Sequence, residues 1–357
     1  MDFIKSQLLD AVNEDILDSD GVDRLRFFHT TKLLLFLMTL TLTRIFVRKS
    51  MTCWAPAQFK ATWIGFAESY CMVENTYFVP LNDTNVPTPE RRRNEAIVYY
   101  QWVPYILIVL TAIVVIPRMI WFLTKVSIGF NYSELSKTTV ERAQLCEDDC
   151  DFENVKRKVI KTTDNGYRPR WSGNRLTVII GVFKISQTIS VIIAWIFLFY
   201  SMGMGPLFGA EIVYDALNGI NWLTSGVFPR VTFCDVDVRH MGNMHRWTMQ
   251  CVLTDNMLYE KIFVFLWFYF LALIFMSFVD LTKFVVRVLS KSNQRAFVSS
   301  ILIEQNENAT GQISAFTRKV LKNDGVLLLH LIKDNSTVYQ AGDILTPLWN
   351  DYISKND

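Results

Sequence analysis

The sequence predicts an all-α membrane protein whose subunit has four transmembrane helices. Three uncharged blocks, residues 96–117, 185–210 and 262–279, come close to or exceed the roughly 20 residues that a helix needs to cross the hydrocarbon core of a bilayer. A fourth, shorter apolar block lies nearer the N-terminus. Four of the 6 cysteines form two pairs, one between the first and second blocks and one between the third and fourth, which is typical of disulfide-stapled extracellular loops.

The overall composition hides this organisation. The chain has 357 residues, a net charge of +2 and 51% hydrophobic residues, values close to those of an average soluble protein. The near-neutral charge argues against nucleic acid as a partner, and 26 Phe, 13 Tyr and 10 Trp exclude a disordered chain. The sequence contains neither a phosphate-binding glycine loop nor an H-E-x-x-H motif. We therefore expect no enzyme activity, no cofactor and no metal.

The first block is the most polar of the four. Residues 33–43 are uncharged, and extension to residues 27–47 makes the block long enough to span. A cleaved signal peptide is an alternative, but the block begins late and no small-residue cleavage site follows it. Polar residues are tolerated in a span that lines a water-filled pathway. We therefore expect the first span to face a pore in part, with candidate lining residues His29, Lys32, Thr39, Thr43 and Arg44.

Four spans place both termini on one side of the membrane. Basic residues are more numerous in the segments on the side of the termini, which by the positive-inside rule makes this side cytoplasmic. The predicted segments are an N-terminal segment (1–26), four spans (27–47, 96–123, 176–204 and 260–282), two extracellular loops (48–95 and 205–259), a cytoplasmic loop (124–175) and a C-terminal cytoplasmic domain (283–357). We expect the C-terminal domain to be a helical layer with a turn at Asn323-Asp324-Gly325.

The cysteines suggest how the extracellular loops are held together. Cys53 and Cys251 both lie close to a span, whereas Cys71 and Cys234 both lie farther along their loops. Because a disulfide joins Cα atoms only a few ångströms apart, pairing residues at matching heights favours Cys53–Cys251 and Cys71–Cys234. Bonds within each loop are the alternative. Cys146 and Cys150, in the cytoplasmic loop, are expected to be reduced.

Several motifs resemble the innexins, the invertebrate gap-junction proteins. The second span opens with the stretch that resembles the family signature, Tyr99-Tyr100-Gln101-Trp102-Val103-Pro104. Further similar stretches are Cys53-Trp54-Ala55-Pro56-Ala57-Gln58-Phe59, Asn75-Thr76-Tyr77-Phe78-Val79-Pro80 and Phe228-Pro229-Arg230-Val231-Thr232-Phe233-Cys234-Asp235. The resemblance covers nearly the whole chain, and two cysteines per extracellular loop, not three, separate it from the connexins.

The resemblance implies a subunit that assembles as a ring, expected to be octameric, around a wide pore. Rings in apposed cells are expected to dock, alone or mixed with other innexins, and to pass ions and small metabolites between cells. It also implies that residues 1–26 form a funnel in the pore mouth, where Asp2, Asp10, Glu14 and Asp15 would favour cations. A solvated amphipathic helix on the cytoplasmic rim is the alternative for this segment.

Three further features have a structural and a functional interpretation. Pro104 predicts a kink near Tyr100 that either serves gating or fits the helix to its neighbours. Lys184, inside the third span, is expected to snorkel or to face neighbouring helices. His240 and His245 are five residues apart, which is not the i,i+4 spacing of a helical metal pair, and are therefore interpreted as ordinary loop histidines.

Asn82 raises a second functional hypothesis. Asn82-Asp83-Thr84 is a glycosylation sequon in the first extracellular loop, and a glycan at the tip of a ring would oppose docking. The sequence therefore leaves three functions open: a gap-junction channel at cell-cell contacts of the plasma membrane, an undocked hemichannel, or a four-span adhesion protein without a pore.

Overall fold

The computed structural model describes residues 20–47, 50–80, 87–94, 96–128, 174–201, 228–304, 312–335 and 338–354, together with residues 210, 214 and 218. Within this part of the chain, four helical segments are long and apolar enough to cross a membrane. These segments are Gly21–Ile45, Val103–Thr124, Leu176–Tyr200 and Asn256–Leu289. The predicted fold class, an all-α membrane protein with four spans and disulfide-stapled extracellular loops, is confirmed.

The described helices are α1 (Gly21–Arg24), α2 (Thr30–Val47), α3 (Ala61–Glu74), α4 (Pro89–Asn94), α5 (Val103–Ile128), α6 (Arg175–Tyr200), α7 (Asn256–Leu289), α8 (Lys291–Glu304), α9 (Ile313–Phe316), α10 (Lys322–Asn335) and α11 (Val338–Ser354). A π-helical turn, Leu25–His29, joins α1 to α2, and a second one, Thr317–Leu321, follows α9. The strands are β1 (Met51–Trp54), β2 (Thr76–Tyr77), β3 (Ala96–Ile97), β4 (Val231–His240) and β5 (Asn243–Leu253).

The second span does not contain the kink expected near Tyr100. A short 3₁₀ turn, Tyr99–Gln101, precedes α5, which begins at Val103, so that Pro104 lies in the first helical turn. Proline costs no helical hydrogen bond there, because the first backbone N–H groups of a helix have no intrahelical acceptor. Pro104 therefore marks where the helix starts, and Pro117 is the proline inside it.

The chain divides into two compact units. One consists of residues 30–114 and 190–274 and holds the antiparallel sheet, with strand order β1-β5-β4-β2-β3. β4 and β5 form a hairpin in which Phe233 pairs with Gln250 and His240 with Asn243. On β4, burial alternates with the strand period of two, and the inward side chains include Thr232, Cys234 and Val236.

The other unit consists of residues 1–29, 115–189 and 275–357, of which α8 to α11 form the C-terminal part. Its apolar core includes Val298, Ile301, Phe316, Leu327 and Trp349. Helical packing of this segment agrees with the prediction.

The break expected at Asn323-Asp324-Gly325 lies one residue earlier, at Lys322, whose φ of 52° ends the π-helical turn, whereas residues 323–325 themselves lie in the first turn of α10. The carboxylate of Asp324 accepts hydrogen bonds from the backbone N and the hydroxyl of Thr177, at 2.9 and 2.7 Å. Asp324 thus caps the N-terminus of α6, where backbone donors lack intrahelical partners. Its partner is distant in sequence and carries no local signal.

Candidate channel elements

The first span has one buried and one exposed face. Thr30 and Thr41 are fully buried, and the hydroxyls of Thr30 and Tyr269 are 2.8 Å apart. On the opposite side, Lys32, Thr39 and Thr43 repeat at helical spacing and are exposed in the single chain. The hydroxyls of Thr39 and Thr43 donate to the carbonyls of Phe36 and Thr39, at 2.8 and 2.7 Å.

Three of the candidate lining residues, Lys32, Thr39 and Thr43, thus share one side of the first span. His29 is exposed at the end of the π-helical turn, and Arg44 is half-buried near the other end of α2. Because threonine hydroxyls bonded to their own helix satisfy their donors, Thr39 and Thr43 still offer acceptor lone pairs outward. This face therefore presents polar groups outward, beside the exposed ring of Phe36.

Five charged side chains meet at the start of the first span and form an ion cluster, defined as Asp20, Asp23, Arg26, Lys184 and Asp280. The Nζ of Lys184 lies 2.8 Å from Asp20 Oδ2, 3.3 Å from Asp23 Oδ2 and 3.0 Å from Asp280 Oδ2. Arg26 Nη2 lies 2.6 Å from Asp280 Oδ2 and 2.9 Å from Asp23 Oδ1. The cluster therefore links the N-terminal turn to α6 and α7.

All five members of the ion cluster are largely removed from solvent. The exposed fraction of the Lys184 side chain is 5% and that of Arg26 is 3%. Buried charges persist only when paired and hydrogen-bonded, since desolvation of an isolated ion costs several kcal/mol, on the order of 5. Burial raises the pKa of Asp20, but the charge of Lys184 and its hydrogen bond outweigh burial and lower that pKa overall.

Sequence reasoning identified Lys184 but not its partners. In the sequence, Asp280 merely follows the uncharged block 262–279, and Arg26 merely precedes the predicted first span. The sequence does contain one signal for the pairing of Lys184 with Asp280. A basic residue inside one span and an acidic residue at the end of another can neutralise each other when the two helices pack together.

The signature stretch at the start of α5 binds two other segments. Asn256 Nδ2 donates to the Tyr99 hydroxyl at 3.0 Å, and the Tyr100 hydroxyl donates to the Cys71 carbonyl at 3.2 Å. Gln101 Nε2 donates to the Met72 carbonyl and, at 3.1 Å, to Asn75 Oδ1. Burial raises the pKa of the Tyr99 phenol, so the ring stays neutral.

The rest of the signature continues this packing into α5. Val103 and Pro104 are buried, and Trp102 is exposed. In this structure the signature holds the end of α3, the start of α5 and the start of α7 together, which is a positioning role.

The extracellular sheet carries two adjacent disulfides. The structure joins Cys53 to Cys251 and Cys71 to Cys234, with Cα separations of 4.0 and 5.8 Å, which is the pairing across the loops that residue height favoured. The sulfur atoms of Cys53, Cys71 and Cys251 lie within 4.8 Å of one another. Because each is disulfide-bonded, these sulfurs are not free thiolate ligands.

Several predicted residues lie outside the described part of the chain. They are Asp2, Asp10, Glu14, Asp15, Asn82, Cys146 and Cys150.

Four apolar spans, a polar face on the first of them and a disulfide-stapled extracellular sheet define the class as a multi-pass membrane channel subunit. The innexin family model matches residues 19–352, and the chain belongs to the innexin family. It is therefore a channel protein and not an enzyme.

Curated relatives agree along nearly the whole length. The chain is 39% identical to Innexin-17 of Caenorhabditis elegans, over 94% of each chain. It is 32% identical to Innexin-16 of the same organism, over 93% of this chain and 89% of the relative. It is 31% identical to Innexin unc-9 of that organism, over 96% of this chain and 94% of the relative.

Proposed function

We propose that this chain is a gap-junction channel subunit that forms large-pore oligomers for ions and small metabolites between adjacent cells. Membership of the innexin family, along residues 19–352, is the observation that carries the proposal. A non-conducting adhesion protein is set aside, because that family consists of channel subunits.

The pore is lined by the exposed face of the first span. Its candidates are His29, Lys32, Thr39, Thr43 and Arg44, of which the first four are exposed in the single chain. A helix that faced only lipid would have to direct Lys32 and Arg44 toward the membrane surfaces, because a charge near the bilayer centre costs about 2.5–3.5 kcal/mol. Water in the pore removes that cost.

Cysteine accessibility tests the lining assignment. In a Cys146→Ala, Cys150→Ala background, Thr39→Cys should react with a water-soluble thiol reagent applied to open channels and lower their conductance. Thr41→Cys is the matched control, since Thr41 is on the same helix but fully buried. Equal modification of both variants, or modification of neither, contradicts the assignment.

The acidic N-terminal residues give the pore mouth a preference for cations. Asp2, Asp10, Glu14 and Asp15 are negatively charged at neutral pH, and carboxylates at a pore mouth concentrate cations there. Replacing Asp10, Glu14 and Asp15 by the corresponding amides should shift the reversal potential under a salt gradient toward lower cation selectivity. An unchanged reversal potential argues for a solvated rim helix instead.

The assembly is a ring in the plasma membrane at cell-cell junctions, with both termini cytoplasmic. Eight subunits are expected from family resemblance, and the ring docks to an apposed ring or mixes with other innexins. Top-view particle images of the purified channel count the subunits, and side views reveal paired rings. Protease protection of an epitope added at each terminus tests the orientation.

An undocked hemichannel is the second candidate, favoured by the sequon at Asn82. A glycan there would be bulky and hydrated, and would oppose face-to-face contact of two rings. Dye transfer between paired expressing cells supports the docked channel, whereas dye uptake without transfer supports the hemichannel. A gel shift after treatment with peptide N-glycosidase, absent in Asn82→Gln, would establish the glycan.

A further inference from the structure

The free end of the β4–β5 hairpin brings two histidines to one face. The connection is the two-residue turn Met241-Gly242, with φ of 49° and 83°. Positive φ at both positions is the type I′ geometry, which matches the right-handed twist of the strands. Val238 pairs with His245 and His240 with Asn243, so the period of two puts both imidazoles on the same side, at diagonal positions.

The two imidazoles are close enough to share one ion. Their ring centroids are 6.5 Å apart, with the planes inclined at 60°. Two imidazoles on one tetrahedral zinc ion have centroids about 5 Å apart, because each Zn–N bond is about 2.0–2.1 Å long. Both side chains are exposed, so small side-chain rotations can close the remaining gap.

We propose that His240 and His245 form a binding site for a divalent transition-metal ion, of which Zn²⁺ is the representative. Neutral imidazole nitrogen is a ligand that suits zinc. The five-residue spacing is unsuitable on a helix, but across a two-residue hairpin it places both rings on one face.

Any further protein ligand would have to come from the face that carries the two histidines, and the nearby carboxylate is on the opposite face of the hairpin. Asp237 lies there and accepts from Arg246 through two bonds, 2.7 Å from Nε and 2.9 Å from Nη2. The Arg246 hydrogen bond lowers the pKa of this carboxyl. With Asp237 paired on the other face, two imidazoles and water molecules form the coordination shell.

Isothermal titration of the metal-stripped, full-length protein with zinc chloride at pH 7.5 tests the site directly. Native protein should bind one Zn²⁺ per chain, and His240→Ala and His245→Ala should each weaken binding by about tenfold or more, since each removes one of the two protein ligands. Asn243→Ala is the matched control on the same hairpin and face, and should bind as tightly as the native chain.

Acidification provides a second readout. Zinc competes with protons for imidazole, so binding should weaken between pH 7.5 and pH 5.5 in the native chain. Absence of zinc binding to the native protein overturns the proposal. So does binding that survives unchanged in the His240→Ala, His245→Ala double variant. The titration uses purified protein and does not depend on whether rings dock.

Discussion

Lys184 and Asp280 share a buried ion pair, with the lysine Nζ 3.0 Å from the carboxylate Oδ2. The same oxygen accepts from Arg26 Nη2 at 2.6 Å. One carboxylate oxygen thus connects the first, third and fourth apolar segments of the chain through two cations. The ion cluster contains three carboxylates and two cations, so removal of either cation leaves excess negative charge away from water.

Lys184→Met should strongly destabilise the protein. The substitution keeps an apolar stem of similar length but removes the cation that contacts three carboxylates, and breaking a buried pair from one side costs about 3–5 kcal/mol. We expect a lower melting temperature in detergent and less protein at the cell surface.

Two companion variants make the Lys184 result specific. Lys184→Met combined with Asp280→Asn should recover part of the loss, because one uncompensated charge is removed. Lys261→Met is the control, since the Lys261 side chain is 63% exposed and its pairing with Glu260 is screened by solvent. Equal destabilisation by Lys184→Met and Lys261→Met would show that the cluster contributes no special stability.

Removing one cysteine should be more disruptive than removing the corresponding pair. In Cys251→Ala, the thiolate of Cys53 is left beside Cys71, since these sulfurs lie within 4.8 Å. Attack on Cys71 Sγ forms a Cys53–Cys71 bond and releases Cys234 as a thiolate. Cys53→Ala combined with Cys251→Ala should keep Cys71–Cys234 and lose about 2–5 kcal/mol of stability.

Thiol alkylation followed by non-reducing peptide mapping distinguishes these outcomes. The single variant should yield alkylated Cys234, whereas in the double variant Cys234 stays protected. Alkylated Cys53 together with protected Cys234 in the single variant would mean that no exchange occurs.

Arg92→Ala should loosen the first extracellular loop from the hairpin. Arg92 Nη1 donates to Asp235 Oδ2 at 2.7 Å, and both side chains are less than one-fifth exposed. Asp235 also accepts from the Tyr77 hydroxyl at 3.1 Å, and burial together with this carboxylate raises the pKa of Tyr77 to about 12. Without the arginine, Asp235 keeps only neutral donors, and we expect a loss of about 1–2 kcal/mol.

Thermal unfolding with the disulfides intact measures the effect of Arg92→Ala. Arg93→Ala is the neighbouring control, because Arg93 is exposed on the same short helix. The assignment fails if the two variants unfold at the same temperature.

The C-terminal helices should lose stability in mild acid through His330. The His330 ring stacks on Phe297 with centroids 3.6 Å apart, and burial, with Arg287 and Lys333 nearby, lowers its pKa from 6.5 to about 4 although Asp334 opposes the shift. Between these values the unfolded chain binds the proton and the folded chain does not, so stability is full above pH 6.5 and falls toward pH 4. Because the ring is partly exposed, we expect a loss of only about 1–2 kcal/mol.

Hydrogen exchange of residues 322–335 at pH values between 7 and 4.5, corrected for intrinsic exchange rates, measures this loss locally. His330→Phe keeps an aromatic ring on Phe297 but cannot titrate, so its pH dependence should be shallower. Identical pH profiles for the native chain and the variant would exclude His330 as the origin.

The spans were predictable because a transmembrane helix requires a run of about 20 apolar residues, and such a run is visible in the local sequence. Pro104 shows the limit of this reasoning, since hydropathy does not reveal where α5 begins. Tyr100 and Gln101 leave the helix to bind the carbonyls of Cys71 and Met72, which are far away in sequence. The same holds for Asp324, whose partner Thr177 is 147 residues away.

The ion cluster was predictable only in part. Lys184 was conspicuous inside an apolar block, but its partners Asp20 and Asp280 are 164 and 96 residues distant. The histidine pair is a different case, because the five-residue spacing is compared with a helix in the sequence, whereas the structure places the two residues on a hairpin.

The bond between Cys53 and Cys251 also serves as a check on strand register. These residues are directly opposite each other on β1 and β5. A slip of one residue would turn Cys53 to the other face of the sheet and leave both thiols unoxidised. A misaligned subunit would then carry two reactive thiols that a correctly aligned subunit lacks, so the oxidation state of this one pair reports whether the two loops have met in the right register.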